Sequence, residues 1–236
     1  MMLFDNFTLV DLTHPLSATI PTWDNSRGFQ LNIGADKDEM VINTSAGTHI
    51  DAPSHFFDNK CTIDILPLKQ LLAPVCVIDV STKAHGDYAL SLQDIHAYET
   101  AFEKIPKNCM VVGYTGWSRF WTDSKAYRNC DEDGNMHYPV FSMEAIACLL
   151  ERGIAGIAID SFSPKLIRVS QTSFPIHERL LNVEKYIIEN LANGHLLSPK
   201  GAYIIALSLK VQKGGEAPAR VIGLIPKEDS FIKPSQ

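Results

Sequence analysis

The stretch SAGTHIDAPSHFF, from Ser45 to Phe57, places His49, Asp51 and His55 within seven residues, the densest group of potential metal ligands in the chain. Two imidazoles and a carboxylate suit zinc or manganese. In an extended strand alternate side chains share a face, so His49 and Asp51 project together, and Ser45 falls on the same parity four residues earlier. Pro53 ends the strand and lets His55 turn toward the same side. Gly47 permits a close backbone approach, and Thr48 is placed to orient a neighbouring ligand.

Outward from this stretch, runs rich in β-branched residues predict strands at Leu9 to Leu12, Met40 to Asn43, Val75 to Val80, Met110 to Tyr114, Ile154 to Ile159, Tyr203 to Leu209 and Val221 to Ile225. Ser91 opens one helical segment. Ser142 caps another, in which Ile146, Leu149 and Leu150 share a face before Gly153 supplies a stop. Helix and strand alternate only in the second half, which argues against a regular doubly wound sheet. The fold class is α/β, a mixed β-sheet core with flanking helices. With no repeat, linker or low-complexity tract, residues 1–236 read as a single domain.

Composition narrows the function. The 236 residues carry 21 Lys+Arg against 27 Asp+Glu, a net charge of −6, so no broad basic surface is available for nucleic acid. No apolar run approaches the roughly 18 residues of a membrane span and no signal peptide is evident, so a cytoplasmic protein is expected. Five scattered cysteines without a CxxC pair read as reduced and mostly buried. His14, His85, His96, His137 and His195 lack partners at ligand spacing and are assigned surface or capping roles. Asn129 to His137 resembles a calcium loop but lacks its glutamate spacing, and reads as a solvated turn. The glycines of GGEAPAR are unsuited to a phosphate loop, so no nucleotide cofactor is expected.

The central stretch resembles the HxGTHxDxPxH signature of the cyclase family, which includes bacterial-type kynurenine formamidases and isatin hydrolases. DLTHPLSATIPTW (Asp11 to Trp23), GYTGWSRFW (Gly113 to Trp121), GIAIDSFSP (Gly156 to Pro164), PIHERLL (Pro175 to Leu181), IIENL (Ile187 to Leu191) and GGEAPARVIGLI (Gly214 to Ile225) resemble further family segments in family order. The resemblance implies the swivelling β/β/α fold of that family. It implies His49 and Asp51 as metal ligands, His55 as the proton-transfer residue, and His177 and Glu189 as a later ligand pair. Ser45 stands where the family's first ligand histidine is found. A serine hydroxyl is a far weaker ligand, so one divalent ion, zinc or manganese, is expected in preference to two.

For His177 and Glu189 to share an ion, the chain must bend between them, since twelve residues of continuous helix would separate them by about 18 Å. The bend is expected near Asn182, with the IIE segment approaching as an extended element. Among Trp23, Phe56, Phe57, Trp117 and Trp121, Trp23 is the candidate for an apolar wall against substrate.

The resemblance implies hydrolysis of a small amide C–N bond, with an aryl formamide such as N-formylkynurenine, a compound of tryptophan catabolism, as leading substrate. Opening of a cyclic amide of the isatin type is the second reading. A non-catalytic binding protein that keeps the fold, because Ser45 replaces a ligand, is the third. The partners expected are a small aromatic amide and further copies of the chain, as a homodimer or homotetramer.

Overall fold

Apolar side chains that alternate along a strand can bury both of its faces when each face meets a separate core. Val75 and Val77 enter one buried cluster while Cys76 and Ile78 enter a second, and Met110 and Val112 part from Val111 in the same way. Two cores on opposite faces of one sheet follow from this alternation.

The computed structural model describes residues 3–164 and 173–227. The strands are β1 (Phe7–Asp11), β2 (Phe29–Asn32), β3 (Glu39–Ile42), β4 (His49–Asp51), β5 (Leu72–Asp79), β6 (Ala89–Leu90), β7 (Met110–Tyr114), β8 (Val140–Phe141), β9 (Gly156–Ile159), β10 (Tyr186–Glu189), β11 (Ala202–Ser208) and β12 (Glu216–Pro226). The helices are α1 (Leu68–Leu71), α2 (Leu92–Ala101), α3 (Ser124–Arg128), α4 (Met143–Glu151) and α5 (Pro175–Leu181).

Eight strands form one sheet in the order β1-β12-β11-β5-β7-β9-β10-β4. Its first half of β12 also pairs with β4, so the circuit from β12 through β11, β5, β7, β9, β10 and β4 closes on itself. Four neighbouring strands, β5, β7, β9 and β10, run parallel, and the remaining pairs in the sheet are antiparallel. Ile50, Ile188 and Ile204 fill one side of the closed sheet. Ile157, Ile159 and Ile187 face the other side, where Ile95 of α2, Leu149 of α4 and Leu180 of α5 cover them. The mixed sheet with flanking helices is therefore the observed architecture.

Both predicted helices form where their caps stand. Ser91 accepts from the Asp94 amide in a reciprocal capping box, and Ser142 accepts from the Ala145 amide. The seven predicted strands all exist, with β5 and β12 longer than their β-branched runs because pairing carries them on through Pro74 and Pro218. The short β2, β6 and β8 carry no strand signal of comparable strength and were not anticipated.

Cys76, Cys109 and Cys148 are buried free thiols, Cys61 is half-buried and Cys130 is exposed. One histidine assignment is overturned, and a second, His137, keeps its surface position but has carboxylate partners. His14 stacks on Trp121 with ring centroids 4.1 Å apart, and burial lowers its pKa to about 4. His137 sits between Asp87 and Asp131, at 2.7 and 3.2 Å, on the turn that follows α3. Sequence spacing does not reveal either contact, because Trp121 and Asp87 come from distant segments. Among the described residues no helix is long and apolar enough to cross a membrane.

Candidate metal centre

Strand register brings the carboxylates and imidazoles together. β4 runs antiparallel between β10 and β12, with His49 opposite Glu189 and Asp51 opposite Glu216. Directly opposed residues share a face, and so do residues two apart on one strand. His49, Asp51, Glu189 and Glu216 therefore all project to the same side of the sheet. The helix α5 crosses that side and adds His177.

The distances are short. His49 Nε2 lies 3.3 Å from Glu189 Oε2 and 3.6 Å from Asp51 Oδ1. His177 Nε2 lies 3.0 Å from Glu189 Oε1 and 3.5 Å from Asp51 Oδ2. All four residues are buried. The chain between His177 and Glu189 turns at Asn182, which caps α5, and at Glu184, whose φ is +56°, before β10 begins. The bend expected near Asn182 is present, and IIE is a strand.

Burial opposes charge on His49, but hydrogen bonding to Glu189 and the neighbouring carboxylates outweigh it and raise its pKa to about 10. His177 follows the same balance and rises to about 9 through Asp51 and Glu189. Burial also works against the Glu189 carboxylate, yet its bonds to His177 and His49 hold it well below the usual range. Asp51 Oδ1 is buried without a hydrogen-bond partner. Two imidazole nitrogens and two carboxylates that converge around an unsatisfied buried oxygen fit a divalent cation of the zinc or manganese type. Asp51, His177 and Glu189 present ligand atoms within 4.8 Å of one another, as do His49, Asp51 and Glu216.

His55 follows β4 in a short 3₁₀ turn, Pro53–His55, as the position of Pro53 predicts. Its Nε2 lies 3.6 Å from Glu216 Oε2, and its side chain is 33% exposed. Glu216 also accepts a hydrogen bond from Thr44 Oγ1 at 2.6 Å. This glutamate was missed as a site residue. The signal lies in the two preceding glycines, because Gly215 abuts His55 so closely that a Cβ there would stand 2.8 Å from His55 Cα.

A cavity of about 480 Å³ opens over the cluster, with His49, Asp51, His177 and Glu189 on its lining together with His55. Trp23 lines it as predicted, joined by Phe56 and by Phe174, which the sequence reading did not include. The Phe174 ring lies 5.3 Å from Phe56 and 6.3 Å from Trp23. Trp117 and Trp121 instead belong to a buried core cluster, and Phe57 packs against the core beneath the helices.

The parity argument for Ser45 fails. β4 begins only at His49, and Gly47 with φ +67° turns the chain before it, so Ser45 lies in an exposed turn. Ser45 nevertheless lines the same cavity. Ser163 was also missed, and its Oγ sits 3.4 Å from His177 Nε2.

The Cyclase family model matches residues 10–165, a span that contains the whole central motif. The chain belongs to the cyclase family. Among its relatives in that family, isatin hydrolase from Roseibium aggregatum is 34% identical over 196 residues, covering 80% of this chain and 74% of that protein. Kynurenine formamidase from Salinibacter ruber is 25% identical over 224 residues, covering 91% and 96%. Isatin hydrolase A from Ralstonia solanacearum superimposes with a TM-score of 0.86 at 27% identity, over 94% of this chain and 93% of that one. This cyclase-family chain thus shares its fold with solved hydrolases along nearly its full length.

Proposed function

We propose that this protein is a metal-dependent hydrolase of the C–N bond in a small aromatic amide. The observation that carries the reading is the convergence of His49, Asp51, His177 and Glu189 at one end of an aromatic-walled cavity. These four residues would hold one divalent cation, zinc or manganese. Such a cation supplies Lewis acidity toward the amide carbonyl and lowers the pKa of water.

The chain's own residues do the rest. Trp23, Phe56 and Phe174 bind and orient the aryl group and limit the access of bulk water to the carbonyl. His55 accepts the proton of the attacking water at Nε2, and Glu216 beside that nitrogen stabilises the cation that forms. As the C–N bond breaks, His55 returns the proton to the leaving nitrogen. The products are a carboxylate and an aryl amine, separate for a formyl substrate and joined for a cyclic one.

The 34% identity to an isatin hydrolase, against 25% to a kynurenine formamidase, favours a cyclic amide of the isatin type. An open-chain aryl formamide such as N-formylkynurenine remains the second substrate, since the same attack serves both. Protein stripped with a chelator and then reloaded with zinc or manganese should lose and regain hydrolysis of isatin or N-formylkynurenine. Turnover that survives exhaustive chelation would overturn the metal-dependent reading, and a metal-loaded protein inert toward both would point to the non-catalytic alternative.

A homodimer or homotetramer is proposed with it. The β2–β3 hairpin exposes Leu31, Met40 and Val41 to solvent, which a second copy would cover. Light scattering that finds only monomer would exclude this.

A further inference from the structure

The His49 imidazole can present Nε2 to the cluster only while its other nitrogen has a fixed partner. That partner is a main-chain carbonyl: His49 Nδ1 donates to Gly47 O at 2.9 Å. A carbonyl accepts only, so Nδ1 carries the hydrogen and Nε2 is the atom offered to the site. Gly47 is a poor anchor by itself. It has no side chain to pin it, and its left-handed φ of +67° is a conformation glycine leaves readily.

A second donor holds the same oxygen. Asn190 Nδ2 donates to Gly47 O at 2.9 Å, from a side chain that is 2% exposed. The Asn190 amide is itself oriented, because Tyr127 Oη donates to its Oδ1 at 2.9 Å. Tyr127 is wholly buried, and burial keeps its phenol protonated and able to donate. The Asn190 main chain is tied as well: its carbonyl accepts from Thr48 Oγ1 at 2.6 Å, and its N–H donates to Ser161 O at 3.0 Å. Asn190 immediately follows Glu189, so one residue grips the turn before His49 directly after the strand that bears the facing carboxylate.

We propose that Asn190 is the positioning residue of the metal centre, acting through the Gly47 carbonyl to fix the His49 imidazole and to lock its strand against the one that carries Glu189. Asn190 touches neither substrate nor ligand atoms. Its left-handed φ of +54° explains why an asparagine can stand there. The proposal rests on the metal-dependent reading, and its test separates the two.

Metal-free natural protein, Asn190→Asp and Asn190→Gly are titrated with zinc chloride against a chromophoric chelator. Both substitutes tolerate the left-handed backbone. Aspartate keeps the shape but sets an acceptor against the Gly47 carbonyl, whereas glycine removes the side chain. Zinc affinity should fall about 10- to 100-fold in both, the range for loss of a partner that orients a ligand. In zinc-loaded protein carrying ¹⁵N-histidine, the His49 Nδ1–H resonance should resist solvent exchange in the natural chain and exchange rapidly in the variants.

If neither variant folds, Tyr127→Phe, which removes the hydroxyl that orients the amide along with its contact to Asp160 O at 3.1 Å, should weaken zinc several-fold. Variants that bind zinc within twofold of the natural chain, or an unchanged His49 resonance, would overturn the positioning role and leave the metal reading standing. A natural chain that binds neither zinc nor manganese overturns both.

Discussion

His14 shows how one side chain can store a pH response outside the site. Its folded pKa is about 4 because it is buried against Trp121, below the unfolded value of 6.5. Between these values the unfolded chain binds a proton that the folded chain refuses. Stability therefore falls as pH drops from about 6.5 toward 4, by as much as about 3 kcal/mol. His14→Phe keeps a ring against Trp121 and removes the titration. Urea midpoints at pH 7 and pH 4.5 should differ less for this variant, and equal differences would refute the assignment. At the site, Glu216→Gln removes the charge beside His55. The expected result is about tenfold lower kcat with little change in KM, while His55→Ala should lose 100-fold or more.

Elements set what the residues can reach. β12 enters the sheet through Gly214 and Gly215, and Gly215 O accepts from the Ala52 amide at 2.8 Å, which clamps the start of the His55 turn. Gly215→Ala would force a Cβ to within 2.8 Å of His55 Cα, so either β12 or the 3₁₀ turn must move. Such overpacking should cost about 1–3 kcal/mol and depress hydrolysis together with stability. Ser91→Ala offers the contrast. It removes the cap of α2, a helix that contributes no residue to the cavity lining, and should cost about 1 kcal/mol with activity unchanged. Thermal melts read beside activity assays distinguish the two, and a fully active Gly215→Ala would show that the close approach does not position His55.

For the molecule as a whole, the cluster joins parts of the chain that are far apart in sequence: β4, α5 and β10 each bring candidate ligands to one point. An ion bound only in the folded state adds stability by mass action, about 2.7 kcal/mol at a hundred times its Kd. The melting temperature of stripped protein should therefore climb with zinc concentration, and the rise should vanish in Asp51→Asn. A melting temperature indifferent to zinc would count against the site. Because His49 and His177 are both protonated near neutral pH without an ion, loading must also expel protons. Zinc titration in a weakly buffered indicator should record acid release that shrinks as pH rises toward 10.

By itself the sequence carried the family resemblance, the seven strand runs, the helix caps at Ser91 and Ser142, and the candidate site residues His49, Asp51, His55, His177 and Glu189, which the structure brings around one cavity. The strand runs, the caps and the His49–His55 cluster are local patterns of periodicity, end residues and density, whereas His177 and Glu189 came from the family resemblance. The bend at Asn182 followed from that resemblance joined to a length argument, since a continuous helix cannot bring residues twelve apart to one point. What only the tertiary structure decided was pairing. Register across β4, β10 and β12 put Glu216 beside His55 and Glu189 against His49, and the turn at Gly47 removed Ser45 from the strand to which parity had assigned it. Packing likewise made His14 a half-buried ring stacked on Trp121 and recruited Phe174 to the cavity wall. Such contacts join residues with no shared spacing in the chain, so they become defined only when the closed sheet fixes which segments face each other.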